Sequence, residues 1–499
     1  MLTRRLARWL DDRLGASRFA RSALDKAFPD HWSFLLGEIA MYCFVVLVLT
    51  GTFLTFFFEA SSKDVVYDGG FKPLVGTHMS AAYRSTVGLS FDVRAGLVMR
   101  QMHHWAALIF VAAIVCHLCR IFFTGAFRRP RELNWIIGLT MLVLALANGF
   151  TGYSMPDDLL SGTGLRIAYS IATSVPLAGP WLASLFFGGE TIGGQTIGRL
   201  FTIHVLLIPV LIMGLLAAHL GVLWRQKHTQ FPGRGRSEGN VVGARLWPTY
   251  AARSVGLFML VIGVVAALGG LFQINPVWLY GPYEPASVTT AAQPDWYLGW
   301  TEGALRLMPA IHLRLLGYRV PELFFPGVLL PSLTFMLLYG WPFVEAKLTR
   351  DRAEHHLLDR PRDRPLRTAL GIAALTFYVM LFAAGAQDIW AQHLNVEVTT
   401  VRDVFRVVVF VLPVGAAVFT WKLCRDLAGA LPLDEYVKGG EPPAGPNELP
   451  VPDGGSEPSS VKELAKVGSA AAAAGVATGF VLGRRSSTKP RRGRRPGTP

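Results

Sequence analysis

The sequence predicts an all-α, polytopic membrane protein with eight transmembrane helices, and three observations support this fold class. Charged residues make up only 16% of the 499 residues, hydrophobic residues make up 52%, and the mean hydropathy is +0.38. Ordinary soluble proteins carry roughly 25% charged residues. Apolar runs of about 20 residues, the length that crosses a lipid bilayer, recur along the chain.

The apolar runs are separated by polar connections whose charge alternates. The runs are predicted at 34–58, 96–123, 133–153, 200–224, 254–274, 323–345, 367–387 and 403–423. Arg and Lys are concentrated in the N-terminal segment and in every second connection. Because cytoplasmic loops are enriched in these residues, both termini are expected in the cytoplasm. The net charge of +14 therefore indicates contact with membrane lipid and no nucleic-acid partner.

These assignments divide the chain into five regions. They are a cytoplasmic segment at 1–33, a four-helix bundle at 34–224, a cytoplasmic loop at 225–253, a second four-helix domain at 254–425 and a disordered cytoplasmic tail at 426–499. Within the tail, the stretch at 467–482 is short and rich in small residues, which disfavours a ninth span. The N-terminus lacks the apolar core of a signal peptide, and the four cysteines indicate no disulfide framework.

Two of the apolar runs each carry a pair of histidines. His103 and His117 are 14 residues apart in the second run, and His204 and His219 are 15 apart in the fourth. Each helix therefore keeps its histidines near one face, about 21–22 Å apart along the axis. Since the charge pattern makes both helices run in the same direction, His103 comes level with His204 and His117 with His219. Facing imidazoles inside a four-helix bundle are typical of axial ligands to haem iron.

The haems are predicted to be two, of b type and non-covalently bound, because the chain has no C-x-x-C-H stretch. A lone intramembrane histidine is more often a hydrogen-bonding partner between helices, but four in matched register are not explained that way. His104 lies off the ligand face and is assigned no role. The alternatives are a secondary transporter with proton-relay histidines and a b-haem anchor subunit of another membrane dehydrogenase.

Arginines and glycines follow the same spacing. Arg100 and Arg120 lie one turn outward of His103 and His117, where they could pair with haem propionates or only extend to lipid headgroups. Arg199, just before the fourth run, is a further candidate of this kind. Glycines without side chains would let two flat rings fit inside the bundle. The glycines, again 14 residues apart in each run, are Gly37 and Gly51 in the first and Gly138 and Gly152 in the third.

Residues 30–425 resemble cytochrome b of the respiratory cytochrome bc1 complex. The resemblance rests on these histidines and glycines, on TGYSMP at 151–156 and on QPDWYLGWTEGALRLMP at 293–309. The last stretch is similar to the family's Pro-Glu-Trp-Tyr motif at its outer quinol site. The resemblance implies a quinol–cytochrome c reductase of the cell membrane, with a Rieske iron–sulfur protein and a c-type cytochrome as partners and a homodimer as assembly. The PDWY variant resembles the Gram-positive subtype, which implies menaquinol and an oxidase supercomplex.

The resemblance also implies a path for the electrons of quinol. One electron goes to the Rieske protein, and the other passes from the His103/His204 haem to the His117/His219 haem and on to a quinone at the cytoplasmic side. Such a path contributes to the proton-motive force across the membrane.

The outer quinol site is assigned to the PDWY motif, Pro294, Asp295, Trp296 and Tyr297, with Tyr153 from TGYSMP beside it. Asp295 is the expected proton acceptor and Tyr297 its hydrogen-bonding neighbour, because quinol oxidation releases protons. Asp295 stands where most family members have Glu. A role as a helix cap after proline is the alternative for this residue.

The inner quinone site departs from the family pattern. The family often uses a His soon after the last ligand histidine and a Lys-Asp pair at the start of the fifth span, where this chain has Trp224, Arg253 and Ser254. Arg253 could orient a quinone carbonyl. The usual proton-donating acid is missing, so His228 or a residue elsewhere is expected to replace it.

Overall fold

Eight long apolar helices dominate the computed structural model, which describes residues 2–189, 192–287, 289, 293–311, 313–315 and 317–429. The helices are named spans 1 to 8 in chain order. Their bounds are Trp32–Thr55, Gly96–Phe123, Glu132–Ser154, Thr196–Gln226, Leu246–Leu271, Phe325–Thr349, Pro365–Gly385 and Val398–Ala428. The predicted all-α class with eight spans is confirmed for the described residues. The stretch at 467–482 and most of the predicted tail lie outside them.

Several spans are longer than hydropathy predicts. Span 4 begins at Thr196 instead of 200, span 5 begins at Leu246 instead of 254, and span 8 covers Val398–Ala428 instead of 403–423. The added turns carry polar residues, such as Arg199 in span 4 and Arg253 in span 5. Such residues are common where a helix meets the membrane surface, so an apolar window excludes them although the helix continues.

Shorter elements precede the spans, connect them or, at Trp32–Phe34, begin span 1. The short α-helices are Leu2–Leu14, Ala16–Leu24, Ala81–Phe91, Leu159–Thr173, Gly179–Phe187, Gly299–Leu307 and Gln387–Leu394. The 3-10 turns are Trp32–Phe34, Lys72–Leu74, Val277–Leu279, Trp296–Leu298 and Pro361–Asp363. Two-stranded antiparallel ribbons pair Ala27–Phe28 with Ala244–Arg245, Asp64–Val66 with His78–Ser80, and Leu313–Leu315 with Tyr318–Val320.

Two spans contain a π-helical turn, in which backbone hydrogen bonds join residues five apart. These turns are Ile203–Leu207 in span 4 and Phe325–Leu329 at the start of span 6. The start of span 5 is kinked, because the backbone of Trp247 is extended. The turn in span 4 includes His204 and therefore bears on the candidate site.

Spans 1 to 4 form the bundle that holds the predicted ligands. Span 1 packs on span 2 and span 3 on span 4, while span 5 packs against spans 1 and 2. Small buried residues such as Ala106, Ala113 and Ala145 let the helices approach at the centre. Phe44 and Phe110 stack there with ring centroids 5.8 Å apart. The bundle is thus closed at its middle and open on either side of this aromatic pair.

Candidate functional site

One cavity of about 310 Å³ is lined by both His103 and His204 and is called the His103 cavity below. Spans 2 and 4 supply the two histidines, and their ring centroids are 6.2 Å apart. A metal–imidazole bond is about 2 Å long, so this separation accommodates one metal atom between a nitrogen of each ring. The side chains brought together by the fold are therefore spaced as a pair of axial ligands would be.

Neighbouring hydroxyl and carbonyl groups orient both rings. Nδ1 of His103 lies 2.9 Å from the hydroxyl of Thr50, which itself donates to the carbonyl of Val46. Nδ1 of His204 lies 2.8 Å from the carbonyl oxygen of Asn148, which can only accept a hydrogen bond. Nδ1 of each ring therefore carries the proton, and the unprotonated Nε2 is left to bind a metal.

A second cavity of about 430 Å³ is lined by both His117 and His219 and is called the His117 cavity. Arg120 also lines it, with its guanidinium 4.2 Å from the centroid of the Phe34 ring. Nε and Nη2 of Arg120 are buried without a hydrogen-bond partner among the described residues. A buried cation with unused donors is costly unless an anion meets it. Arg120 thus fits the predicted role of a propionate partner.

The four glycines lie against the four histidines. A Cβ on Gly152 would come 2.5 Å from Cε1 of His204, and one on Gly51 would come 3.1 Å from Cε1 of His103. At the other cavity, a Cβ on Gly37 would come 3.2 Å from Cε1 of His117, and one on Gly138 would come 3.6 Å from Cε1 of His219. The missing side chains leave room for the imidazoles, and most tightly at Gly152. The donor set, the unused guanidinium groups and these clefts together fit haem.

The π-helical turn in span 4 reconciles the unequal histidine spacings. In a regular α-helix, 14 residues end about 40° short of four turns and 15 end about 60° beyond, so the pairs would diverge by about 100°. The turn Ile203–Leu207, closed by a bond from the amide of Ile208 to the carbonyl of Ile203, takes up the additional residue. His204 and His219 can therefore share a face as His103 and His117 do.

Phe44 and Phe110 line both cavities, together with Ile212. They separate the two histidine pairs by packed apolar side chains and leave no polar group between them among these shared lining residues. A charge carrier in one cavity would be separated from a carrier in the other cavity by the contact between Phe44 and Phe110.

The remaining predicted arginines differ in their placement. Arg100 lines the His103 cavity, donates two hydrogen bonds to the carbonyl of Asn275 at 3.1 and 3.2 Å, and keeps a buried Nε without a partner among the described residues. Arg199 donates instead to the carbonyls of Ser184 and Leu185 at the end of the Gly179–Phe187 helix. Arg199 is outside the lining of the His103 cavity, and its guanidinium binds the C-terminal end of that helix instead.

The PDWY motif reaches the His103 cavity through two of its four residues, Asp295 and Tyr297. The Tyr297 hydroxyl donates to Oδ2 of Asp295 at 3.0 Å. Burial and the neighbouring Asp295 raise the pKa of Tyr297 well above its ordinary value, so this hydroxyl keeps its proton at neutral pH. The Asp295 side chain makes no capping hydrogen bond, which removes the alternative of a structural helix cap. Pro294 and Trp296 lie outside the lining.

Two contacts of this motif were not foreseen from sequence. His104, to which no role was assigned, places Nε2 2.8 Å from Oδ1 of Asp295. Gly149 lies against the Tyr297 ring, since a Cβ there would come 2.3 Å from the hydroxyl oxygen. Tyr153 also lines the cavity and donates to the carbonyl of Gln293 at 3.2 Å. The adjacent histidines at 103 and 104 could have drawn attention to His104. The sequence alone does not indicate its contact, because Asp295 lies 191 residues after His104.

The predicted inner quinone residues separate. Arg253 forms an ion pair with Asp30 at 2.8 Å, with both side chains more than half exposed, and is outside the lining of the His117 cavity. Ser254 and His228 do line it. Arg253 therefore lies at the protein surface, and its role in orienting a quinone carbonyl stays a prediction.

Comparison with known proteins identifies the family. Residues 108–282 match the family model described as cytochrome b (N-terminal)/b6/petB. Cytochrome bc1 complex cytochrome b subunits from Corynebacterium efficiens, Streptomyces coelicolor and Mycobacterium leprae are 48%, 47% and 49% identical to this chain. The alignments cover 84–85% of this chain and 77–78% of those proteins.

A solved structure named hyperthermophilic respiratory Complex III shares the fold, with a TM-score of 0.61 at 19% identity over 83% of this chain and 98% of that one. These matches support the cytochrome b interpretation and give no support to a transporter. Because the 47–49% identity to these relatives is far higher than a shared fold alone requires, the chain belongs to the family of cytochrome b subunits of the cytochrome bc1 complex.

Proposed function

We propose that this subunit of a quinol–cytochrome c reductase holds two haems and connects a quinol-oxidising site to a quinone-reducing site on opposite faces of the membrane. The observation that carries the proposal is the pair of cavities, each lined by one histidine from span 2 and one from span 4. Phe44 and Phe110 lie between them. Moving a charge through the low-dielectric membrane interior is costly without carriers held inside the protein. The two cavities provide places for two such carriers.

The haem-binding roles follow from the residues of each cavity. His103 and His204 would hold one haem b, and His117 and His219 the other. Arg100 and Arg120 would pair with propionates through their unused guanidinium nitrogens. When bound, each haem supplies reversible uptake of a single electron.

Quinol oxidation is proposed at the His103 cavity, beside Asp295. Its carboxylate accepts a hydrogen bond from Tyr297 on one oxygen and lies within hydrogen-bond distance of His104 on the other. These two contacts fix the carboxyl plane while each oxygen keeps a further lone pair. A quinol hydroxyl that reaches the cavity could then transfer its proton to Asp295. Tyr153 lines the same cavity and is proposed as a further quinol contact.

The membrane orientation and domain division stay proposals. Three basic loops meet on one face of the described residues, since Arg131 donates to the carbonyl of Lys227 and to that of His355. This supports a common, cytoplasmic side for the connections after spans 2, 4 and 6. We place the chain in the plasma membrane with both termini in the cytoplasm. Regions 1–33, 34–224, 225–253 and 254–425 would serve as the segment, bundle, loop and second domain, with the tail at 426–499 cytoplasmic.

The partners are proposed from the names of the relatives, which are subunits of the cytochrome bc1 complex. A chain with no iron–sulfur or covalent haem motif needs a Rieske protein and a c-type cytochrome to pass electrons to a soluble acceptor. The quinone is proposed to be menaquinone, and the assembly a homodimer within an oxidase supercomplex. Relatives from Corynebacterium, Streptomyces and Mycobacterium support this Gram-positive subtype.

The test is the visible spectrum and quinol oxidation of the purified complex. The wild type should show two b haems per chain after dithionite reduction, and His103→Ala or His219→Ala should each remove one. His78→Ala, which changes an exposed histidine paired with Asp64, should keep both. Asp295→Asn should keep both haems and slow quinol oxidation by about 100-fold, the lower range of general acid–base effects. A colourless wild-type protein, or two haems retained in both ligand variants, would refute the proposal.

A further inference from the structure

Glu38 stands in the lining of the His117 cavity, in the first turn of the α-helix of span 1. Three hydroxyl groups surround its carboxylate. Ser254 donates to Oε2 at 2.6 Å, Tyr42 donates to Oε2 at 3.3 Å, and Tyr250 donates to Oε1. Tyr42 comes from span 1 itself, whereas Tyr250 and Ser254 come from span 5. This built cluster joins the first span to the second half of the chain at the cavity wall.

No Lys or Arg forms an ion pair with Glu38 in the described part of the chain. By contrast, Glu345 in span 6 is bound by Arg367 at 2.5 Å. An acid within a membrane span that lacks a cationic partner is costly and rare, and such residues are commonly part of a proton or substrate pathway. The three neutral hydroxyls hold the carboxyl group at the cavity wall by hydrogen bonds.

The wall beside Glu38 suits a flat ring. Phe28 stacks on Tyr250 with ring centroids 4.4 Å apart and contacts His228 at 4.7 Å. Aromatic side chains that line a cavity favour a planar apolar ligand. Desolvation by burial lowers the pKa of His228 to about 4, so this imidazole is neutral at physiological pH and is a poor source of protons.

We propose that Glu38 is the proton donor to a quinone bound beside the haem, at the Phe28–Tyr250 wall of the His117 cavity, in place of the acid that the family pattern provides next to Arg253. The inference rests on the function proposed above, because it concerns the quinone-reducing site of that function. It assigns the step to the first span instead of the fifth.

The chemistry balances for the two-electron reduction of quinone. Each electron that reaches the quinone makes a carbonyl oxygen more basic, and the O–H bond of the Glu38 carboxyl breaks as the O–H bond of the product forms. The carboxylate then regains a proton from water. Two such transfers with two electrons convert one quinone to one quinol. The reductase reaction supplies the electrons, and the water-facing side supplies the protons.

Several other titratable and charged groups face the same region and must be considered. His117 and Arg120 line the cavity from span 2, His219 lines it from span 4, and Arg131 and His228 line it from the loops. The Arg253–Asp30 pair lies nearby at the start of span 5 and is exposed. Glu38 is the only carboxyl group among the described residues that line the cavity, since Asp30 is paired with Arg253 outside it.

The test compares Glu38→Gln and Glu38→Asp in the intact complex. Quinol is mixed with the enzyme to reduce the b haems, and menadione is then added as the quinone while haem reoxidation is followed. Gln keeps the size and hydrogen-bonding oxygen but has no acidic proton. We expect Glu38→Gln to reoxidise at least about tenfold more slowly, with a rate that falls as pH rises because hydronium becomes the donor. Glu38→Asp should recover much of the rate and the wild-type pH profile, and Glu59→Gln, an exposed acid paired with Arg84, should have no effect.

The outcomes separate the inference from the proposed function. Glu38→Gln that holds both haems, is reduced normally by quinol and reoxidises as wild type at every pH would overturn the inference alone. Missing haems or unimpaired quinol oxidation in Asp295→Asn would overturn the proposed function. If Glu38→Gln fails to assemble, infrared difference spectra of wild type and Glu38→Asp during quinone reduction decide. A carboxylic band that shifts between the two supports Glu38, and an identical band in both contradicts it.

Discussion

At the scale of single residues, the His103 cavity repeats one device on two helices. A Thr-Gly dipeptide stands opposite each histidine, Thr50-Gly51 in span 1 and Thr151-Gly152 in span 3. Each threonine hydroxyl lies within hydrogen-bond distance of Nδ1, at 2.9 Å from His103 and 3.2 Å from His204. The adjacent glycine leaves room for the ring. One residue therefore orients the ligand and its neighbour makes space for it.

Gly152→Ala tests this device where it is tightest. The added methyl would come 2.5 Å from Cε1 of His204 and would displace the imidazole. Overpacking of this kind costs about 1–3 kcal/mol. We expect the variant to lose the haem held by His103 and His204, which halves the haem bound per chain in a reduced-minus-oxidised spectrum. Gly214→Ala in span 4, where a Cβ would meet nothing within 4 Å, should keep both haems. Full haem content in Gly152→Ala would show that the cleft can widen.

The ligands could be predicted from sequence because a helix converts spacing into position. Four histidines and four glycines at 14- or 15-residue intervals predict two ligand sites at different depths in the membrane, independently of the rest of the sequence. His104 and Glu38 could not be found in this way, because their partners Asp295 and Ser254 lie 191 and 216 residues further along the chain. Contacts between distant segments depend on packing, which no periodicity encodes.

At the scale of elements, the π-helical turn in span 4 is a local irregularity with a global consequence. Pro209 stands two residues after the turn Ile203–Leu207, and Pro331 stands two residues after the turn Phe325–Leu329 in span 6. Proline lacks the amide hydrogen for the α-helical bond and clashes with the carbonyl four residues earlier. A wider turn relieves that clash. The 15-residue spacing and Pro209 together were a sequence signal for it.

Removing the irregularity while preserving the register should therefore be tolerated. Deletion of Leu206 combined with Pro209→Ala gives span 4 a regular helix with its histidines 14 residues apart, as in span 2. We expect this variant to bind both haems. Deletion of Ala112 from span 2, which has no π-helical turn to absorb it, rotates His117 by about 100° relative to His103 and should cost one haem. Equal haem loss in both variants, measured per chain in the reduced spectrum, would contradict this account.

At the scale of the whole molecule, one partly buried ion-pair network joins the two halves of the chain. Asp359, in the connection after span 6, accepts hydrogen bonds from Arg367 at 2.8 Å and Arg364 at 3.2 Å and lies 3.3 Å from Arg128. Arg128 belongs to the connection after span 2. The charge pattern predicts that these connections share one face, but their excess of cations gives no indication of how they stay together. A few acids, placed by the fold, neutralise that repulsion.

Asp359→Ala should weaken the contact between the two halves of the chain more than the loss of a more exposed ion pair does. Arg367 keeps its second partner Glu345, so the loss should fall between the about 0–1 kcal/mol of an exposed pair and the roughly 3–5 kcal/mol of a buried charge left without a partner. Asp363→Ala, which removes the acid paired with Arg362, is the matched control. The Asp363 side chain is 29% exposed, compared with 14% for Asp359. Because membrane complexes unfold irreversibly, the measurement is the half-time of haem loss at a fixed elevated temperature in lipid nanodiscs. We expect a clearly shorter half-time for Asp359→Ala and a near wild-type value for Asp363→Ala. Equal half-times would mean that apolar packing between the spans, and not this network, holds the two halves together.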